Sequence, residues 1–277
     1  MLGAARLNSA LMLGDPAAEA YIAAAGITDP TRQGLVRDFF AATKAIRAKC
    51  DGMWLLAAGT SLASRVCLVN PSHVLTVEEI YVPPYEEYEG YYVSPDFTAD
   101  RGWSGNFFGG SYDVAGLYLA SLPLTHYQED DGHLAFYGPL SGSVLPTAHI
   151  GGWRQGGPPA ANVAFLATSG SNTTYAGVTT TSVVSQVSAF AGRHLITATR
   201  GIAANVISLF RGATNYGGGA STANVTPGAT IPLYVATAYA GSNNNQAFAS
   251  IGANLSAGEL TTLNDALTTY LTAIGGA

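Results

Sequence analysis

Between Val183 and Ile251 the chain alternates short β-rich runs with glycine, proline and asparagine punctuation. His194–Arg200 and Asn205–Arg211 are two such runs, separated by Gly201-Ile-Ala-Ala; Val183–Phe190, Leu233–Tyr239 and Ala247–Ile251 read likewise. β-Branched and aromatic residues favour extended backbone, and clusters such as Gly151-Gly152, Gly156–Pro159, Gly217–Gly219 and Pro227-Gly228 break it. Many short strands punctuated in this way predict a mainly β domain, a sandwich or a barrel. The chain has 277 residues, which suits one such domain with flanking helices.

The helices lie at the two ends. Asp29 is placed to cap a helix and Pro30 fits its first position, where a missing N–H is harmless. Leu35, Val36, Phe39, Phe40 and Ile46 then form one apolar stripe, with Arg32, Arg37, Lys44, Arg47 and Lys49 on the solvated side. Asp51-Gly52 is expected to end it. At the other end Ser256 and Glu259 have capping-box spacing, and Leu260, Leu263, Leu267, Tyr270, Leu271 and Ile274 recur at helical steps. Residues 1–26 are Ala-rich and read as a partly helical arm.

Charge is scarce and unevenly placed. Only 11% of residues are charged, against roughly 25% in an ordinary soluble domain. A net charge of −6 argues against nucleic-acid binding, which needs Lys and Arg to neutralise phosphates. Eleven of the 18 acids fall between Glu78 and Asp131, where Arg101 is the sole Lys or Arg, and Gly132–Gly258 holds no acid at all. That half can supply no carboxylate for acid–base chemistry. The best apolar run, Met53–Val69, is interrupted by Gly59, Thr60, Ser61, Ser64 and Arg65, so no membrane insertion is expected. The N-terminal apolar stretch is broken by Asn8, Ser9 and Gly14 and is not read as a secretion signal. Cys50 and Cys67 are no disulfide framework and read as small buried side chains, although pairing stays open.

Several clusters invite chemistry. Glu78–Tyr92 is acidic and tyrosine-rich; it reads as a glycan platform, a protein contact, or a solvated loop with an edge strand. Its carboxylates lack the alternate E-x-D-x-x-E strand pattern of jelly-roll glucanases, so no enzyme is expected. His126–His133 offers His126, Glu129, Asp130, Asp131 and His133, but in no calcium-loop register; a polar turn is preferred. Asp100 and Arg101 read as a pair pinning the turn before Trp103. Trp153 lies in a Gly-rich loop that could expose its indole. No Gly-x-Ser-x-Gly elbow or phosphate-binding loop is present.

Four segments in order carry a resemblance. They are Gly26-Ile-Thr-Asp-Pro30 with its helix and Trp54; Phe97-Thr-Ala-Asp-Arg-Gly-Trp-Ser-Gly-Asn106; Tyr127-Gln128 with His133-Leu-Ala-Phe-Tyr137; and Gln246–Ser256 with its helix. Over about residues 26–275 the chain resembles bacteriophage and prophage virion proteins, of the fibre or decoration type, with a concanavalin A-like (laminin G-like) lectin domain. Val82–Tyr92 and Gly151–Pro159 depart from that pattern as particle-specific loops.

The resemblance implies a concanavalin A-like jelly-roll β-sandwich at 54–277 with its C-terminal helix, an N-terminal helix at 26–53, and an anchoring arm at 1–25. It implies a virion component that attaches the particle to host-surface polysaccharide; the alternative is a structural decoration or connector protein without a host ligand. Expected partners are other virion proteins through the arm and, by analogy, two further copies in a homotrimer. The expected location is the particle surface. No cofactor is expected, since the calcium often bound by laminin G-like domains has no ligand motif here. The candidate ligand-binding residues are Tyr85, Tyr88, Tyr91, Tyr92, Trp103 and Trp153.

Overall fold

The computed structural model describes residues 15–82, 84, 90–107, 114–139, 147–151, 165–169, 173–178, 184–187, 192–201, 206–220, 226–236 and 245–276. Its helices are α1 (Pro16–Ala24), α2 (Pro30–Ala42), α3 (Lys44–Arg47), α4 (Ser61–Arg65) and α5 (Ala257–Ala273). The first strands are β1 (Cys50–Leu55), β2 (Thr76–Glu78), β3 (Ile80–Val82), β4 (Tyr91–Val93), β5 (Asp96–Thr98), β6 (Gly102–Ser104) and β7 (Asn106–Phe107). Then come β8 (Val114–Pro123), β9 (Gly132–Pro139), β10 (Thr147–Gly151), β11 (Phe165–Ser169), β12 (Thr173–Gly177) and β13 (Val184–Val187). The last are β14 (Arg193–Arg200), β15 (Val206–Arg211), β16 (Thr214–Ala220), β17 (Thr230–Val235) and β18 (Phe248–Gly252).

Two antiparallel sheets form the expected β-sandwich. One is six-stranded, in the order β1-β18-β9-β14-β15-β16. The other is eight-stranded, in the order β13-β12-β11-β10-β17-β8-β2, with β7 also paired to β8. Strand alternation divides the six-stranded sheet between two cores. Trp54, Leu134, Phe136, Ile196 and Ile251 face the second sheet and pack with Leu117, Ile150, Leu166, Leu233 and Val235. Met53, Leu55, Ala135, Tyr137, Leu195 and Phe248 face the other way, onto Phe39, Phe40, Leu260, Leu263 and Leu267 of the helices. The molecule therefore has three layers, with the six-stranded sheet in the middle.

Both terminal helices start as expected. Asp29 accepts from the Thr31 and Arg32 amides, and Ser256 and Glu259 form a complete capping box. Three expectations are corrected. The N-terminal helix breaks at Thr43 and ends at Arg47, and Cys50–Leu55 is a fully buried strand, so a boundary at residues 53/54 falls inside β1. Arg47 is not solvated: it lies over the Phe40 ring and pairs with Asp15 at 2.7 Å. Within the expected arm, α1 packs into the helical core through Ala18, Tyr21 and Ile22; residues 1–14 lie outside the described residues. Cys50 and Cys67 are buried thiols, not bridged, and burial pushes both up from their ordinary pKa.

A sheet covered on both faces must satisfy its polar groups internally. Asp51, buried on β1, accepts from the amides of Thr125, His126 and Tyr127 at 2.7, 2.9 and 2.7 Å. That fastens the turn feeding β9 to β1, two strands away in the same sheet. His133 contacts Ser250 Oγ at 3.0 Å and the Ala253 carbonyl at 2.5 Å. His149 stacks on Phe136 at 3.8 Å and meets Gln246 at 2.7 Å. Burial lowers these histidines from 6.5 to about 4 and about 3 respectively.

Two tests follow from this packing. Asp51→Ala strands three amide donors and should lower the urea-unfolding free energy by about 3 kcal/mol, with Asp51→Asn losing less. Each buried histidine stays neutral when folded, whereas the unfolded chain takes up protons below about pH 6.5. Stability is thus fully present above that pH. It should fall towards pH 4 by on the order of 1.4 kcal/mol per pH unit for each histidine. Urea titrations across this range should show the slope reduced in His133→Gln.

Candidate functional site

The exposed aromatic surface lies on a hairpin outside both large sheets. Among the described residues β3 and β4 pair only with each other, in the register Ile80↔Val93, Tyr81↔Tyr92 and Val82↔Tyr91. Direct cross-strand partners share a face. Tyr81 and Tyr92 therefore stand side by side, with ring centroids 5.1 Å apart and planes tilted by 51°. They are 54% and 67% exposed. The opposite face carries Val93, which is buried and packs with Ala115 of β8. One side of the hairpin is thus anchored and the other is presented.

The presented face continues past the rings. Glu79 and Ser94 flank the hairpin, each two residues from a tyrosine of the pair, and so share its face. The Ser94 hydroxyl donates to Glu79 Oε1 at 2.5 Å, which holds the carboxylate beside the rings. Gly90 leaves room for Tyr81 at the other end: a Cβ there would lie 2.1 Å from the Tyr81 hydroxyl and 3.0 Å from Pro84 Cδ. The result is two tilted phenol rings with a fastened carboxylate next to them. Such a surface can stack the C–H face of a sugar and accept hydrogen bonds from its hydroxyls.

The expected site residues separate. Tyr92 belongs to this face. Tyr91, 40% exposed, points to the opposite side by strand alternation. Tyr85, Tyr88 and Trp153 lie outside the described residues. Trp103 is corrected: it is 3% exposed, donates from its indole to Ser64 Oγ at 2.7 Å, and packs on Phe97. It is a core residue and is not available to a ligand. Tyr81 and Glu79 were missing from the expected set. Their period-two relation to Tyr92 and Ser94 appears only once the hairpin register is known.

Asp100 pairs with Arg32 at 2.6 Å, not with Arg101. Arg101 is exposed, and its carbonyl accepts from Arg193 at 2.9 Å. Gly102 next to it has φ +103, and a Cβ would fall 1.8 Å from the Gln246 carbonyl. That close approach lets the backbones of Trp103 and Gln246 bond reciprocally at 3.1 and 2.7 Å. The His126–His133 segment is the polar turn expected of it. Glu129 accepts from Thr226, Asp130 pairs with Arg200 at 2.7 Å, and Asp131 accepts from the Asn254 amide at 2.8 Å. Among the described residues no group of three His, Cys, Asp or Glu is placed to hold a metal ion, and no helix is long and apolar enough to cross a membrane.

No family model matches the chain, and no curated protein sequence matches it. Among solved structures it is similar to botulinum neurotoxin type C, in a structure whose title ties cell entry to two ganglioside molecules (TM-score 0.46, 9% identity, 81% of this chain and 53% of that one). It is also similar to domain 4 of AbnA, an extracellular arabinanase from Geobacillus stearothermophilus, in complex with arabinotriose (0.42, 10% identity, 78% and 98%). A third is the Ruminococcus gnavus IT-sialidase CBM40 bound to α2,3-sialyllactose (0.37, 10% identity, 53% and 97%). The chain spans about half the length of the neurotoxin chains it resembles. The sandwich itself is defined by this chain's own strand pairing and cores.

Proposed function

We propose that this chain is a carbohydrate-binding attachment protein of a phage or phage-like particle, working by adhesion and not by turnover. The carrying observation is the exposed Tyr81–Tyr92 pair, presented on a hairpin whose other face is anchored through Val93. Large aromatic rings left in water are unfavourable unless something covers them, and paired rings offer a ready stacking surface for a sugar. The reading needs no cofactor. A shallow platform gives weak single-site affinity, which several copies on one particle would amplify; a trimer is the proposed assembly. The particle setting is supported by the four sequence segments that resemble virion proteins.

The test is binding of the purified protein, and of intact particles, to host-surface polysaccharide. Tyr92→Ala and Tyr81→Ala should each weaken binding about tenfold, at about 1–3 kcal/mol for a lost stacking ring, with an unchanged melting temperature. Gly90→Ala should weaken it by pushing Tyr81 out of place. Trp103→Phe should lower stability and leave affinity alone. Full binding by the double tyrosine variant rules the platform out. A particle reconstruction with the hairpin buried between subunits would replace adhesion by the decoration or connector role.

A further inference from the structure

Resting on the platform reading, we infer that the ligand is a glycan bearing free amino groups, held with its ammonium between the Glu79 carboxylate and the Tyr81–Tyr92 rings. Three observations converge. First, Glu79 is exposed on the ring-bearing face, and the Ser94 hydroxyl engages one of its oxygens, Oε1, at 2.5 Å. That bond orients the carboxylate and leaves Oε2 to accept from a ligand. Second, phenol rings have a negative π face, which attracts a cation placed over it. The tilted pair, 5.1 Å between centroids, offers two such faces beside the carboxylate.

Third, the stretch of sequence that carries the platform is acidic. From Val66 to Asp100 there are seven acids, Glu78, Glu79, Glu86, Glu87, Glu89, Asp96 and Asp100, and no Lys or Arg. The resulting field favours a positive ligand and raises the free energy of a carboxylated or sulfated one. A neutral sugar could use the rings and one hydroxyl-to-carboxylate hydrogen bond. An amino sugar uses those and adds a charge-assisted bond and a cation–π contact.

Calorimetry on the full chain with three oligosaccharides of matched length tests this: a β-linked glucosamine oligomer, its fully N-acetylated counterpart, and a galacturonate oligomer. The amino oligomer should bind about tenfold more tightly than the acetylated one at about 20 mM salt, and the preference should shrink to about twofold at about 500 mM. The galacturonate oligomer should bind least. Glu79→Gln keeps the Ser94 contact and removes the charge. It should cost the amino oligomer about threefold and leave the acetylated one unchanged. Equal binding of the amino and acetylated oligomers, both lost in Tyr92→Ala, overturns the amino-sugar inference and leaves the platform standing. Absence of amino-oligomer binding overturns it as well, and the polysaccharide assay on the tyrosine variants then decides the platform independently.

Discussion

Burial of the six-stranded sheet on both faces is the constraint on which the rest of the structure depends. A sheet with one wet face alternates apolar and polar residues, whereas one covered on both sides reads as a continuous apolar run. β9 and β1 behave in the second way, buried along nearly their whole lengths. The low charge content follows in part from this, because a middle layer has no solvent face on which to place Lys or Glu. It also explains why several of the polar groups inside are engaged by other protein groups. Asp51 collects three amides, and His133 and His149 sit neutral among hydrogen-bond and stacking partners. Arg200, wholly buried, reaches Asp130 and the Val178 carbonyl.

Much of this architecture was legible from residue pattern. The caps at Asp29 and Ser256 are local chemistry, and local chemistry is visible in a single sequence. So are the strands at β14, β15 and β18, whose β-branched runs are bounded by glycine. β1 was hidden because its six buried residues follow a helix directly and show no alternation. α1 falls in the stretch read as partly helical, but its docking was hidden because alanine carries little periodic signal, although Tyr21 and Ile22 bury it firmly. The Asp100–Arg101 pairing failed for a different reason. Neighbours in sequence seemed the natural partners, yet the true one, Arg32, arrives from a helix 68 residues away.

The same distinction separates scaffold from site. The four segments singled out in the sequence meet in space and brace one another. Arg32 follows the first and reaches Asp100 in the second, Trp103 pairs with Gln246 across the second and fourth, and β9 pairs with β18 across the third and fourth. The residues that make these contacts are therefore framework, which is why Trp103, taken from such a segment as a ligand contact, is buried instead. The tyrosine hairpin lies only partly in the stretch, Val82–Tyr92, expected to depart from that pattern. Which side chains share a face there depends on the pairing register of its two strands.

The hairpin's isolation from both sheets has a consequence for how such a protein changes over generations. Substitutions on the face of Tyr81 and Tyr92 remove little core packing, so they escape the stability threshold that restrains the middle sheet. Descendants of this chain could exchange these side chains one at a time while folding the same sandwich. Diversity among relatives should therefore concentrate on this small ribbon, with the three layers beneath it varying slowly.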